Sequence, residues 1–381
     1  MERMNRERLY KDEDFMLEAI KLAKKGLGFT NPNPMVGAVI VKNGHIIGRG
    51  YHKVYGGLHA EREAIKDCKT KGNEKDLKGA TIYVTLEPCC HYGKQPPCTM
   101  AIIEAGITRV VVGALDPNPK VCGKGIKILE EAGIKVDGPI LNDACLEIND
   151  IFFHYMRYKK PLVTLKWAQT LDGKIACYTG ESKWITGDEA RQKVHMDRHK
   201  NMAILVGIGT LLKDDPMLNC RNETLGKVRH PLRIVLDSNL RTPFDSNFVK
   251  TATSYKSLIM TVSKDKDKIE SYKKFGVDVV SLEADYEGRV NLVDAINYLG
   301  EKGIDSLIIE GGGEINYKAL ESRIVDKIQV YIAPKIFGGK DAITAVLGQG
   351  IASPKDAFKV GNLKVSRLGE DLLLEGDMEY S

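Results

Sequence analysis

The sequence predicts an α/β protein of two domains, one over residues 1–157 and one over 158–381. Three observations carry this. The 381 residues are enough for two cores at ordinary domain sizes. A β-hairpin pattern near Asn43-Gly44 is followed by short apolar runs alternating with amphipathic segments, the order that builds α/β sandwiches. A second series of the same alternation begins near Tyr158-Lys159-Lys160-Pro161, with no internal repeat of the first.

Asp12 to Lys25 carries Phe15, Met16, Ala19, Ile20, Leu22 and Ala23 at helical spacing, and Thr30-Asn31-Pro32-Asn33-Pro34 stops it. Val36 to Val41 is an apolar strand, joined through Asn43-Gly44 to a second strand over Ile46 and Ile47. A helix over His59 to Cys68, a buried strand over Thr81 to Leu86, a helix over Pro97 to Ala105 and a strand over Arg109 to Leu115 follow. The loop Asp116-Pro117-Asn118-Pro119, a helix over Gly125 to Ala132 and a short strand from Lys135 end the first domain. In the second, strands are expected at Leu162 to Trp167, Ala203 to Val206, Leu232 to Leu236, Ser257 to Thr261, Val277 to Ser281, Ser306 to Ile309, Lys327 to Ile332 and Asp371 to Glu375. Helices are expected at Asp188 to Lys200, Lys266 to Phe275, Leu292 to Glu301 and Glu314 to Leu320.

Composition narrows the class. Apolar residues make up 43%, with no run long enough to span a bilayer, and the charged segment Met1 to Arg8 leads into no apolar signal-peptide core. Eight cysteines without disulfide-framework spacing favour reduced thiols and a cytoplasmic protein. A net charge of +5 from 56 basic and 51 acidic residues is too small and dispersed for a nucleic-acid partner, though it suits a small anionic ligand.

One arrangement has no folding purpose. His59-Ala60-Glu61 reads H-x-E, and Pro88-Cys89 with Cys98 reads P-C-x8-C. One imidazole and two thiolates are three zinc ligands, which leaves a fourth tetrahedral position for water. Zinc brings the pKa of such a water close to neutrality. Glu61, two residues from the histidine, is placed to act as general base and then general acid, so the parts together make a hydrolytic deaminase of a base-like ring. Both ligand segments are expected at helix starts, where thiolates are stabilised. Cys89 is preferred over Cys90 because it follows Pro88 directly; His91 and His52 read equally well as loop hydrogen-bonders. In the second domain Gly207-Ile208-Gly209-Thr210 does not complete a dinucleotide fingerprint. Glu310-Gly311-Gly312-Gly313 fits a phosphate loop at a helix start and, equally, a tight strand-to-helix turn. Trp184 reads as core or as cofactor wall.

These segments in this order resemble one family. Asn31-Pro32-Asn33-Pro34-Met35-Val36-Gly37, His59-Ala60-Glu61, Glu87-Pro88-Cys89, Pro96-Pro97-Cys98 and Asp116-Pro117-Asn118-Pro119 carry the likeness in the first half. Lys166-Trp167-Ala168, Thr170-Leu171-Asp172-Gly173, Gly180-Glu181-Ser182-Lys183-Trp184-Ile185-Thr186, Asp214-Asp215-Pro216 and Glu310-Gly311-Gly312-Gly313 carry it in the second. The chain is similar to the bifunctional deaminase/reductases of bacterial riboflavin biosynthesis over nearly its whole length. The resemblance implies a cytidine-deaminase-like α/β/α sandwich followed by a dihydrofolate-reductase-like domain. It implies removal of the ring 2-amino group of 2,5-diamino-6-ribosylamino-4(3H)-pyrimidinone 5′-phosphate, then reduction of the ribosyl chain to ribityl with NADPH.

Carried over by position, zinc falls to His59, Cys89 and Cys98, with Glu61 as proton shuttle. Ala168, Trp184, Thr210, Asp214, Ser238, Gly311, Gly312 and Gly313 line the NADPH site. Ser182, Arg198, Leu218, Arg221 and Glu310 hold the substrate, whose phosphate needs forked cationic donors. The resemblance also implies a homo-oligomer paired through the reductase domain, with no membrane or nucleic-acid partner. Gln95, Leu58 and Cys122 stand where the family usually has Thr, Pro and Ala, which touches loop geometry and removes no ligand. Two other readings use the same zinc constellation. A nucleoside or tRNA deaminase with an unrelated appendage is opposed by the second-half motifs and by the lack of a basic stripe. A zinc-stabilised binding protein is opposed by Glu61, since structural zinc needs no proton shuttle.

Overall fold

The computed structural model describes residues 11–118, 121–222 and 226–380, so Pro119 and the charged segment before residue 11 lie outside the described residues. The chain forms two compact units, one ending at Tyr158 and the other beginning at Lys159.

The first unit runs α1 (Asp12–Ala23), β1 (Gly37–Lys42), β2 (His45–Tyr51), α2 (Ala60–Thr70), β3 (Thr81–Val84), α3 (Cys98–Glu104), β4 (Arg109–Val112), α4 (Lys124–Glu131), β5 (Lys135–Asp137), α5 (Asn142–Glu147) and α6 (Asp150–Tyr158). Its sheet has the order β2-β1-β3-β4-β5. The hairpin partner β2 and β3 are antiparallel to β1, while β3, β4 and β5 are parallel. Successive strand residues point to opposite faces, and the sequence uses both. Ala38, Ile40, Ile82, Val84, Val110 and Val112 pack under α2, α3 and α4 through Ala60, Ala64, Ile102 and Leu129. Val39, Val41, Tyr83 and Val111 pack with Phe15, Met16, Ala19 and Ile20 of α1, Cys145 of α5 and Phe152 of α6. The result is an α/β/α sandwich. Helix α2 approaches the hairpin closely because Gly50 has no side chain: a Cβ there would collide with the Ala60 carbonyl.

The second unit runs β6 (Leu162–Thr170), α7 (Asp188–Lys200), β7 (Ala203–Gly207), α8 (Ile208–Asp214), β8 (Leu232–Leu236), α9 (Asn247–Lys250), β9 (Ser257–Thr261), α10 (Lys266–Lys274), β10 (Val277–Ser281), α11 (Leu292–Glu301), β11 (Ser306–Ile309), α12 (Gly313–Glu321), β12 (Lys327–Ala333), β13 (Lys359–Leu368) and β14 (Asp371–Glu379). They form a nine-stranded sheet of order β10-β9-β8-β7-β11-β6-β12-β14-β13. The seven strands from β10 to β12 are parallel, and the β13–β14 hairpin closes the sheet antiparallel. One face buries Val163, Leu165, Leu205, Ile234, Leu307 and Ile309 under α11 and α12. The other buries Ile204, Val206, Val235, Ile259 and Ile308 under α8, α9 and α10.

Three expectations need correction. Helices α5, α6, α8 and α9 were not predicted, nor was β13. Strand β6 continues past Trp167 to Thr170 because β12 pairs with it from Thr164 to Thr170. Tyr158, expected to open the second domain, is the last residue of α6.

Within the second core, Arg233 is wholly buried without a carboxylate partner among the described residues. Its Nη1 donates to the Met217 carbonyl (3.1 Å) and Thr251 Oγ1 (2.9 Å); Nη2 donates to the Phe248 (2.8 Å) and Tyr255 (3.1 Å) carbonyls and Ser257 Oγ (2.6 Å). A shape-preserving Arg233→Met leaves those buried carbonyls unpaired, each worth about 1–3 kcal/mol. We expect chemical denaturation to show a loss of about 3 kcal/mol or more; a loss under about 1 kcal/mol would show that the network is not needed.

Candidate active sites

Cys89 and Cys98 come together with His59 because two helices begin at one spot. His59 is the residue before α2, Cys98 is the first residue of α3, and Cys89 lies in the loop after β3. Arg62 of α2 ties these starts together, donating from Nε to the Pro96 carbonyl (3.2 Å) and from Nη2 to the Pro97 carbonyl (2.9 Å). His59 Nδ1 lies 3.4 Å from each sulfur, and the three atoms fall within 4.8 Å of one another. Cys90 is not in this group, and burial pushes its thiol up.

The electrostatics differ from the expected helix-end stabilisation of Cys98. Cys98 donates its backbone N–H to Cys89 Sγ (3.4 Å), so the start of α3 serves the neighbouring sulfur. The Cys98 thiol and then His59 hold Cys89 down to about 4. Cys98 itself is pushed up, by the hydrogen bond it gives Cys89 and by burial. The donor set fits zinc: an imidazole nitrogen and two sulfurs at contact distance, one position short of a tetrahedron.

Glu61 is 3% exposed, and burial followed by the nearby Cys89 charge raises its pKa. A raised carboxyl facing a metal-ligand cluster suits proton transfer in both directions. His52, left open by the sequence, resolves into a supporting part. Its ring stands edge-on to His59 at 5.3 Å. Nδ1 donates to the Leu58 carbonyl (3.0 Å), which leaves Nε2 to accept from Asn33 Nδ2 (3.4 Å). Burial lowers its pKa, so the neutral form is favoured.

Sequence reasoning missed the part played by Glu87. This carboxylate, 3% exposed, accepts backbone N–H groups of Gly123 and Gly125 (both 3.0 Å) and of Asp116 and Ile126 (both 3.4 Å). It pins the loop after β4 and the start of α4 against the cysteine loop. Gly125 permits the fit, since a Cβ there would collide with the Pro88 carbonyl. The acidic residue before Pro88 was the available signal.

In the second unit, the carried-over residues line one cavity of about 1020 Å³ at the C-terminal ends of the parallel strands. Ala168, Trp184, Thr210, Asp214, Ser238, Gly311, Gly312 and Gly313 are on its wall, as are Ser182, Arg198, Leu218, Arg221 and Glu310. Such a crevice at strand C-termini is where ligands bind in open α/β sheets. Trp184 is 65% exposed with the Arg191 guanidinium 4.8 Å from its ring, so it is not core. Glycines 311–313 lead directly into α12.

Strand register builds the polar floor of the cavity. Leu165 of β6 is opposite Ile309 of β11, which puts Lys166 beside Glu310 one step further on. Arg198 Nε and Nη2 each donate to Glu310 at 2.8 Å, and Lys166 Nζ lies 3.7 Å from the same carboxylate. Burial opposes ionisation of Glu310, but Arg198 and Lys166 outweigh it and hold it down to about 2. His195 Nδ1 accepts the Arg221 backbone N–H (3.3 Å), and burial with the two arginines pulls its pKa to about 4. Lys166 and His195 had been given no role from sequence, because their partners are remote in the chain.

Known proteins agree with both halves. Residues 9–114 match the model of the cytidine and deoxycytidylate deaminase zinc-binding region, and residues 161–374 match the RibD C-terminal domain. The riboflavin biosynthesis protein RibD of Actinobacillus pleuropneumoniae is 51% identical over 96% of this chain and 94% of its own length. That of Aquifex aeolicus is 44% identical over 95% and 97%. Among solved structures, Acinetobacter baumannii RibD has a TM-score of 0.85 at 34% identity, covering 98% of this chain and all of its own. A Thermotoga maritima diaminohydroxyphosphoribosylaminopyrimidine deaminase/5-amino-6-(5-phosphoribosylamino)uracil reductase has a TM-score of 0.82 at 39% identity, covering 97% and 99%. With a zinc-ligand triad in the first unit, a strand-end crevice in the second and relatives that span both, the chain belongs to the RibD family, the bifunctional deaminase/reductases of riboflavin biosynthesis.

Proposed function

We propose that the first unit deaminates 2,5-diamino-6-ribosylamino-4(3H)-pyrimidinone 5′-phosphate and that the second then reduces the ribosyl chain with NADPH. The juxtaposition of His59, Cys89 and Cys98 with the buried Glu61 carries this reading. His59, Cys89 and Cys98 would hold a zinc ion, which would supply an acidified water as nucleophile. Glu61 takes a proton from the attacking water and passes it to the leaving amine, so that C–NH2 and water become C=O and ammonia. His52, held by Leu58 and Asn33, fixes the wall beside His59.

In the second unit NADPH supplies the hydride, and the chain positions the reactants. Ala168, Trp184, Thr210, Asp214, Ser238 and glycines 311–313 are assigned to the cofactor; Ser182, Arg198, Leu218, Arg221 and Glu310 are assigned to the substrate. Arg221 has no carboxylate partner among the described residues and is free to take the ribose phosphate. Arg198 is already forked onto Glu310, so it orders that carboxylate toward the sugar. No helix of the described residues is long and apolar enough to cross a membrane. Pairing of two copies through the reductase unit is supported by β13, an edge strand that exposes Leu363 (53%) and Val365 (61%).

Given the diaminopyrimidinone ribosyl phosphate, the purified protein should release ammonia without NADPH and oxidise NADPH only after deamination; oxidation without ammonia release would reject the order. His59→Ala, Cys89→Ser and Cys98→Ser should each lose bound zinc, whereas Cys90→Ser should keep it. Glu61→Gln should keep zinc yet slow ammonia release by about a hundredfold or more, with reduction of the deaminated substrate unchanged; undiminished ammonia release would remove Glu61 from the mechanism. Sedimentation should give a dimer that Val365→Glu dissociates, and a wild-type monomer would exclude the pairing.

A further inference from the structure

We infer that Arg241 holds the 2′-phosphate of the dinucleotide and so sets the preference for NADPH over NADH, an assignment that rests on the NADPH reading above. The cavity crosses the ends of β6, β11, β7 and β8, which are neighbours in that order. Three strand spacings make about 14 Å, the scale of an extended dinucleotide. The nicotinamide must meet the substrate, so it belongs at the β6–β11 end beside Lys166, Arg198 and Glu310. The adenosine then reaches the β8 end, where the loop after Leu236 faces the turn 285–289.

That loop is rigidly held. Asp237 Oδ2 accepts from the Thr242 backbone N–H (2.6 Å) and hydroxyl (2.8 Å), and Ser238 Oγ accepts from the Val290 N–H (3.2 Å). Arg241 projects from it as an exposed cavity residue and has no carboxylate partner among the described residues.

The other charges at this end are engaged. Arg289 pairs with Glu287 (3.6 Å) and Glu314 (3.3 Å), and Lys318 with Glu287 (3.5 Å) and Glu321 (3.0 Å). Asp285 Oδ1 closes its own turn by accepting the Glu287 and Arg289 N–H groups, both at 2.9 Å. Among the described residues, the acids of the 285–289 turn and Glu314 are therefore engaged and not free to receive a bare ribose 2′-hydroxyl, the device of sites that choose the unphosphorylated cofactor. An unpaired guanidinium on a fixed loop is the partner a phosphate monoester needs. Lys213 is also unpaired among the described residues, but its Nζ lies against Gly180, beside the Ser182–Trp184 segment.

Calorimetric titration of the full chain tests this without turnover. NADP+ is compared with NAD+, and adenosine 2′,5′-bisphosphate with 5′-AMP, on wild type, Arg241→Gln and Arg241→Lys. Arg241→Gln should weaken both 2′-phosphorylated ligands between about tenfold and a hundredfold and leave NAD+ and 5′-AMP within about twofold. Arg241→Lys should recover part of the loss. A Gln variant that keeps the wild-type preference, or that loses all four ligands alike, overturns the role of Arg241. A wild-type protein that binds NAD+ as tightly as NADP+ overturns the underlying NADPH reading instead.

Discussion

The meeting of Cys89 Sγ, Cys98 Sγ and His59 Nδ1 within 4.8 Å is the constraint around which the first unit is arranged. Two thiols and an imidazole packed this closely are poor core material. Their burial favours neither the charge on Cys89 nor the loss of a proton from Cys98, and a divalent cation relieves both problems at once. Much of the surrounding architecture serves that meeting. The missing side chain at Gly50 lets α2 sit down on the hairpin, Arg62 fastens α2 to the Pro96-Pro97 turn, and Glu87 gathers four backbone amides around the far side of the cysteine loop. A buried carboxylate satisfied by backbone donors is a rigid fixture. Glu61 enters on the first turn of α2, so its reach is set by the same helix that carries His59 to the cluster.

The second unit solves a different problem. It must hold two anionic ligands at the open end of a parallel sheet, and its charges are distributed accordingly. Glu310 is locked by Arg198 and Lys166 in the floor of the crevice, a buried cluster that strand register assembles. Buried ion clusters are costly unless fully paired, and burial together with Arg198 lowers the pKa of Lys166 while Glu310 opposes that shift, beside a site where a phosphorylated sugar is proposed. Arg233 uses the opposite strategy, burying a lone guanidinium whose two terminal nitrogens donate to carbonyls and hydroxyls of surrounding elements, including Met217 beside the cavity residue Leu218, while its Nε has no partner among the described residues.

What could be read in advance follows from where the physical signal is local. The zinc triad was legible because its members fall in short motifs, and the parallel strands because residues such as Ile204 to Val206 and Leu307 to Ile309 are apolar on both faces. Strand β13 was not, since Lys359–Leu368 lies at the sheet edge, mostly exposed on both faces, and its only apolar alternation is the short stretch Leu363-Lys364-Val365-Ser366. The short helices α5, α8 and α9 are held by packing more than by periodicity. In the crevice, Lys166 with Glu310 and His195 with Arg221 are joined only by the fold, so no spacing could reveal them. The likeness to known deaminase/reductases supplied residues such as Ala168 and Ser238, which carry no signature of their own, and the cavity then gathered them on one wall.

Zinc K-edge X-ray absorption on the purified full chain reads the ligand shell at this site. One zinc per chain is expected, bound by two sulfurs at about 2.3 Å and two lighter atoms at about 2.0–2.1 Å, one from His59 and one from solvent. A shell of four sulfurs, a shell with none, or a folded protein that retains no zinc would contradict it.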